Sequence, residues 1–185
     1  DSIYAMYVML EQNYFVECMI TIKSYNPDSY MFHTPTIDLA ELQSKSIEIP
    51  LLVQKTTGEK EKELQDLEKA LEKAKQKYKL DGIITGALYS NYQRERIEKI
   101  CDKLNLKVFS PLWQINQETE MREIINKGFK FIITKIAAEG LDKTWLGKVI
   151  THKDIDKLVE LNKKIRINIA GEGGEYETLM IDGPI

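Results

Sequence analysis

Apolar runs of strand length alternate with helical repeats along this chain, and no other feature limits its fold so strongly. Residues 16–22, 50–53, 81–86, 106–109 and 129–137 are short, rich in Val, Ile, Leu and Phe, and bounded by polar or turn residues. Between them stand stretches whose apolar residues recur every three or four positions. The clearest is 59–78, where Leu64, Leu67, Leu71, Ala74 and Tyr78 form one stripe and Glu and Lys fill the opposite face. Further helices are predicted over 2–13, 37–47, 90–105, 117–127 and 152–164. Strands joined through helices pair in parallel. The pattern predicts an α/β fold: a mainly parallel sheet with helices on both faces, and a smaller C-terminal α+β part.

Local signals agree. Asp1 or Ser2 can cap the first helix, and Ser90 with Gln93 has the spacing of a capping box. Gly128 closes the helix before it, and Thr151 caps the last one. Residues 141–147 read as one helical turn. Residues 165–170 and 178–181 read as strands on either side of a glycine loop. In parallel sheets ligands gather on loops after the carboxyl ends of strands, here 23–36, 86–93, 110–116 and 138–140.

Composition narrows the function classes. The chain has 185 residues and a net charge of −3, so no global field favours nucleic acid or an anionic membrane. No apolar run approaches the roughly 20 residues that span a bilayer. Cys18 and Cys101 make no disulfide framework and read as reduced core residues, which leads to a cytoplasmic expectation. Both ends read as cut from a longer polypeptide.

Two loops could carry chemistry. Ala170-Gly171-Glu172-Gly173-Gly174-Glu175-Tyr176-Glu177-Thr178 holds three glycines in four positions, three carboxylates and a phenol. Its charge is wrong for phosphate; a ring beside carboxylates suits a cation. The plain alternative is a solvated acidic hairpin turn. Gly86-Ala87-Leu88-Tyr89-Ser90 joins a strand to a helix whose first N–H groups can bind an anion, with Arg94 and Arg96 following. The plain alternative is an ordinary capped helix start. His33 has no partner at metal-ligand spacing and suits a base or a nucleotide contact; Trp113 suits ring stacking or a core plug. No Walker lysine loop, Gly-x-Gly-x-x-Gly or Ser-His-Asp arrangement is present, so these residues leave the reaction class open.

Several blocks together resemble the diphthine–ammonia ligase family of the PP-loop ATPase superfamily. They are Asp1-Ser2-Ile3-Tyr4-Ala5, Met31-Phe32-His33-Thr34-Pro35, Gly86 through Gln93 with Arg96, Ser110-Pro111-Leu112-Trp113, Ala137 through Asp142 with Trp145-Leu146-Gly147, Glu172 through Thr178, and Asp182-Gly183-Pro184. The resemblance implies a Rossmann-like, PP-loop nucleotide-binding domain over 1–109 and a substrate-side domain over 110–185. It implies amidation of diphthine on translation elongation factor 2 with ATP, Mg²⁺ and ammonium, through an acyl-adenylate. Asp1 and Ser2 would end the family's Ser-Gly-Gly-Lys-Asp-Ser loop, acting on phosphate and, for Asp1, on metal. Its earlier residues are expected to belong to the protein.

Ile20, Ile22, His33, Gly86 and Ser90 would complete the nucleotide side. Tyr92, Gln93, Arg96, Trp113, Glu139, Glu172, Glu175, Tyr176 and Glu177 would face the protein substrate, with Tyr176 and the loop carboxylates holding diphthine's trimethylammonium. No membrane or direct nucleic-acid contact is expected, and a homodimer is left open. The rivals are another PP-loop amidotransferase or tRNA-modifying enzyme, and an ATP-binding module without turnover.

Overall fold

The computed structural model describes residues 1–25, 39–59 and 62–185 and divides into two units, Asp1–Pro111 and Leu112–Ile185. The first contains α1 (Ser2–Glu11), β1 (Met19–Ser24), α2 (Ala40–Ser46), β2 (Leu51–Thr56), α3 (Lys62–Tyr78), β3 (Gly82–Ile84), α4 (Asn91–Lys103) and β4 (Lys107–Phe109). β1 pairs in parallel with β2, from Met19 opposite Leu51 to Ser24 opposite Thr56, and β3 pairs in parallel with β4. The α/β expectation therefore holds. His33 and most of the 23–36 loop lie outside the described residues.

The stripe read from residues 59–78 does what its period demands. Leu67, Ala70 and Leu71 are buried and meet Ile22, Ile100, Cys101 and Leu106, with Ile20, Leu52, Leu64 and Val108 packed around them, and Ala74 is buried as well. Lys79 and Asn105 take positive φ just beyond α3 and α4, which turns the chain sharply into the next strand. At α1 the sequence misleads in part: Asp1 is the N-cap residue, but its side chain makes no capping bond. Cys101 is buried as expected, whereas Cys18, just before β1, is only half-buried.

The second unit runs α5 (Gln117–Asn126), β5 (Lys130–Ile136), a 3₁₀ turn (Lys143–Trp145), α6 (His152–Ile165) and β6 (Tyr176–Asp182). β5 and β6 are antiparallel, giving the smaller α+β part. Met121, Ile124, Phe131, Ile133, Trp145, Ile155, Leu158 and Ile167 are buried in its core.

One expected strand does not form. The apolar content of residues 165–170 predicts extended chain, but α6 continues to Ile165 and Arg166 ends it in the left-handed region at φ 59°. The backbone beyond is satisfied by side chains: Asn162 Nδ2 donates to the Ile167 carbonyl at 2.6 Å, and Ala170 N–H donates to Gln117 Oε1 at 3.0 Å. Groups bonded in this way are not offered to a ladder.

The start of α6 is tied down by Asp154. Its carboxylate accepts from Thr151 N–H (3.1 Å), Thr151 Oγ1 (2.8 Å) and Lys148 Nζ (2.8 Å). Burial works to raise this carboxyl, but those bonds, with Lys157, outweigh it and hold it down at about 2. A depressed folded value means stability that is present above the unfolded value of about 3.9 and lost as pH falls toward 2. Asp154→Asn should therefore lower the stability of this unit by on the order of 2 kcal/mol at neutral pH. Thermal unfolding of both proteins from pH 7 to pH 2 should show the gap closing below about pH 4.

Candidate functional site

In the first unit, the turn after β3 comes directly against the start of α1. β3 and β4 extend by a Thr85 N–H bond to the Phe109 carbonyl at 2.9 Å, and the Thr85 and Ser110 hydroxyls lie 3.0 Å apart beyond them. Gly86 follows. A Cβ there would stand 2.6 Å from Ser2 N, 2.8 Å from Asp1 C and 2.9 Å from Ser2 Cα. Only glycine permits this approach, because every atom it would strike is backbone. Asp1, Ser2 and Gly86 are thus brought together.

Ser90 then caps α4, accepting from Gln93 N–H at 3.3 Å. One turn on, the Arg96 guanidinium lies 3.5 Å from the Tyr92 ring centroid and its Nη1 donates to the Tyr92 carbonyl at 3.3 Å. Stacking holds the fork flat, as carboxylate recognition requires. Ile22 points into the core and Ile20 packs at its edge.

In the second unit the glycine loop is built from inside. Asn168 N–H and Nδ2 donate to Glu175 Oε1 at 2.8 and 2.7 Å, and Gly173 N–H donates to Glu175 Oε2 at 2.8 Å. Gln117 Nε2 donates to Asn168 Oδ1 at 3.1 Å, which joins this network to α5. Gly171 takes φ 77°, and a Cβ there would meet the Tyr176 carbonyl at 2.9 Å and its ring at 3.1 Å.

Tyr176 corrects the expectation of a cation-facing wall. The ring is 3% exposed and its hydroxyl donates to the Ile169 carbonyl. Burial raises the phenol, and Glu120 and Glu175 push it the same way. A ring sealed this way has no face for a trimethylammonium group. Glu175 is likewise a strut, with both oxygens engaged by the loop. Glu177 sits on β6, 3.3 Å from Lys135 Nζ across the ladder. Glu172 is partly exposed, Glu139 exposed and Trp113 half-buried.

Gln117, Asn168 and Glu120 belong to none of the sequence motifs above. Glu120 is 0% exposed, and among the described residues neither of its oxygens has a hydrogen-bond partner. Burial lifts its carboxyl to about 7, and Glu172 and Glu123 add to the lift. The signal was available: Gln117, Glu120, Met121 and Ile124 share one helical face, so a carboxylate stood on an apolar stripe. Among the described residues no group of three His, Cys, Asp or Glu side chains is placed to hold a metal, and no helix is long and apolar enough to cross a membrane.

Comparison with known proteins gives matches along both units. The family model described as diphthamide synthase N-terminal domain matches residues 1–108, and that of the diphthamide synthase C-terminal domain matches 116–185. Among similar proteins, the diphthine–ammonia ligase of Mus musculus is 37% identical over 176 residues, covering 89% of this chain and 66% of that protein. Its Homo sapiens counterpart is 37% identical over 170 residues, 85% of this chain and 63% of that protein. The Schizosaccharomyces pombe protein of the same name is 35% identical over 170 residues, with 85% and 28% covered. The chain thus spans less than two thirds of the length of these relatives. With a glycine-backed α1 start in one unit, a braced Glu-Gly-Gly-Glu-Tyr-Glu loop in the other and family matches over both, the chain belongs to the diphthamide synthase family.

Proposed function

We propose that the protein is an ATP-dependent ligase that amidates diphthine on translation elongation factor 2 with ammonium, releasing AMP and pyrophosphate, in the cytoplasm. The observation that carries this reading, beyond family membership, is the packing of Gly86 on the Asp1–Ser2 backbone. It aligns the first turn of α1, whose N–H groups lack helical acceptors, with the turn after β3. That cradle fits the phosphates of ATP.

Asp1 and Ser2 would hold the β- and γ-phosphates, Gly86 would lie under the ribose and α-phosphate, and Ser90 would flank them. The β1 backbone at Ile20 and Ile22 would take the adenine, and His33 would be a further nucleotide contact. Mg²⁺, when bound, would neutralise the leaving pyrophosphate. Asp1 would be its protein ligand, and the phosphates and water would supply the rest, as is common for this ion.

Arg96, held flat on Tyr92, would orient the diphthine carboxylate toward the α-phosphate, with Gln93, Trp113, Glu139 and Glu172 on the substrate side. A thiolation enzyme fits less well. Burial raises Cys101 to about 11 and raises Cys18 as well, so neither thiol is activated.

The test is pyrophosphate release by the full-length protein with diphthine-bearing elongation factor 2, ATP and ammonium. Release should require all three, produce AMP, and convert acid to amide by mass spectrometry. Release that ignores the elongation factor, or that follows added tRNA instead, would overturn the proposal.

A further inference from the structure

The carboxyl ends of β3 and β4 carry two hydroxyls with a proton to spare. Thr85 Oγ1 and Ser110 Oγ lie 3.0 Å apart, and either can be the donor. Each hydroxyl brings one hydrogen, and only one of the two can lie between the oxygens. The other points away from the pair. Both residues are half-buried, and among the described residues neither hydroxyl has another partner.

The strands decide which way the pair faces. Ile83 and Val108 pack on the buried cluster that α3 and α4 build from Leu71, Ile100 and Cys101. Thr85 and Ser110 stand two positions further along the same strands, and Thr85 N–H still bonds the Phe109 carbonyl. Side chains two apart share a face of a sheet, so both hydroxyls lie on the α4 side. A Cβ on Gly86 would point the other way, into the backbone of Asp1 and Ser2. The strand ends therefore offer the N–H groups of α1 on one face. On the other they offer the spare hydroxyl proton, on the side of the helix that holds the Arg96 fork flat on Tyr92. All these residues belong to the N-terminal unit.

Arg96 is donor-only and the hydroxyl pair has a donor left over, so the α4 face suits an oxygen acceptor. With phosphate assigned to the α1 face, that acceptor is the carboxylate to be activated. We propose that Thr85 and Ser110 together donate one hydrogen bond to the substrate carboxylate, on the oxygen that becomes the acyl carbonyl. This rests on the ligase reading above. The other carboxylate oxygen bonds the α-phosphorus, and pyrophosphate leaves with the electron pair of its bond. Ammonium loses one proton to solvent. Ammonia then bonds the acyl carbon, and the carbonyl electron pair moves onto the oxygen that the hydroxyl holds, where the donor meets the new charge. That pair returns, the carbon–oxygen bond to AMP breaks with its electrons leaving on AMP, and a second proton goes to solvent, giving the amide. A neutral donor suits this oxygen better than a cation, because it holds the starting carboxylate less tightly.

The test is a double-mutant cycle in the full-length protein with diphthine-bearing elongation factor 2, ATP and ammonium. Thr85→Val and Ser110→Ala each leave one hydroxyl that can still donate, so each should lower kcat/KM for the elongation factor by about threefold. Together they remove the donor, and the loss should reach about 100-fold, beyond the product of the two. The Kd for ATP should change less than about twofold throughout. A tie that merely joins the strand ends would vanish in the first variant, so equal losses in the single and double variants overturn the inference. An unaffected double variant overturns it too. So does a weakening of ATP binding that matches the loss of turnover, which marks a phosphate contact. If Thr85→Val with Ser110→Ala does not fold, Thr85→Ala with Ser110→Ala takes its place under the same outcomes. Absence of amide formation in the unaltered protein would instead sink the ligase reading, and this inference with it.

Discussion

Gly86→Ala is expected to lower ATP-dependent turnover by roughly 100-fold and to destabilise the N-terminal unit. The added Cβ would fall within 2.6–2.9 Å of three backbone atoms of Asp1 and Ser2. A crowded side chain can rotate away, but backbone at the start of a helix cannot. Either α1 or the turn after β3 must move. Overpacking of this kind costs about 1–3 kcal/mol. A shift of about 1 Å at a site that orients reacting groups can remove roughly 100-fold in rate. Urea unfolding and pyrophosphate–ATP exchange would measure the two effects. Ser90→Ala is the graded comparison: it removes a helix cap, costs about 1 kcal/mol, and leaves Gly86 on the Asp1–Ser2 backbone. Wild-type exchange in Gly86→Ala would show that this close approach is not needed for nucleotide chemistry.

Tyr176→Ala should be the most destabilising single change in the C-terminal unit. It empties a site that is 3% exposed and removes the hydroxyl bonded to the Ile169 carbonyl. Large-to-small changes of buried aromatics cost about 3–5 kcal/mol. Tyr176→Phe keeps the ring and strands only the Ile169 carbonyl, for about 1–3 kcal/mol. Thermal unfolding should rank the variants in that order, with any loss of substrate affinity following the loss of fold. A Tyr176→Ala protein of unchanged stability that bound diphthine-bearing elongation factor poorly would restore the cation-facing role first read for this ring.

That reversal shows why the glycine loop was only half legible. Its glycines were read correctly as backbone devices, since Gly171 and Gly174 both take positive φ. Its carboxylates and phenol were read as outward-facing because polar residues in a glycine-rich turn usually meet water. Whether Glu175 meets solvent or three N–H groups depends on Asn168 and Gly173, and the anchor to α5 depends on Gln117, 53 positions from Ala170. Such pairings leave no local periodicity. The false strand at 165–170 has the same origin, because an apolar run has no sign of the side chains that will claim its backbone.

Local rules did better where local physics dominates. The α3 stripe and the Ser90 cap follow from spacings of three and four residues, Thr151 is the N-cap residue of α6 as its type suggests, and each is present. The parallel pairing of β1 with β2 and of β3 with β4 follows from helical connections that leave no room for a hairpin.

From the sequence, then, come the α/β class, the helix registers, the family and the residue types of both loops. These depend on period, composition and motif, which are properties of neighbouring positions. Only the tertiary structure could decide that Gly86 touches Ser2, that Tyr176 is a strut, and that Glu120 is buried without a donor among the described residues. Those depend on which distant atoms come within 3–4 Å of one another, and burial then changes what each group can do.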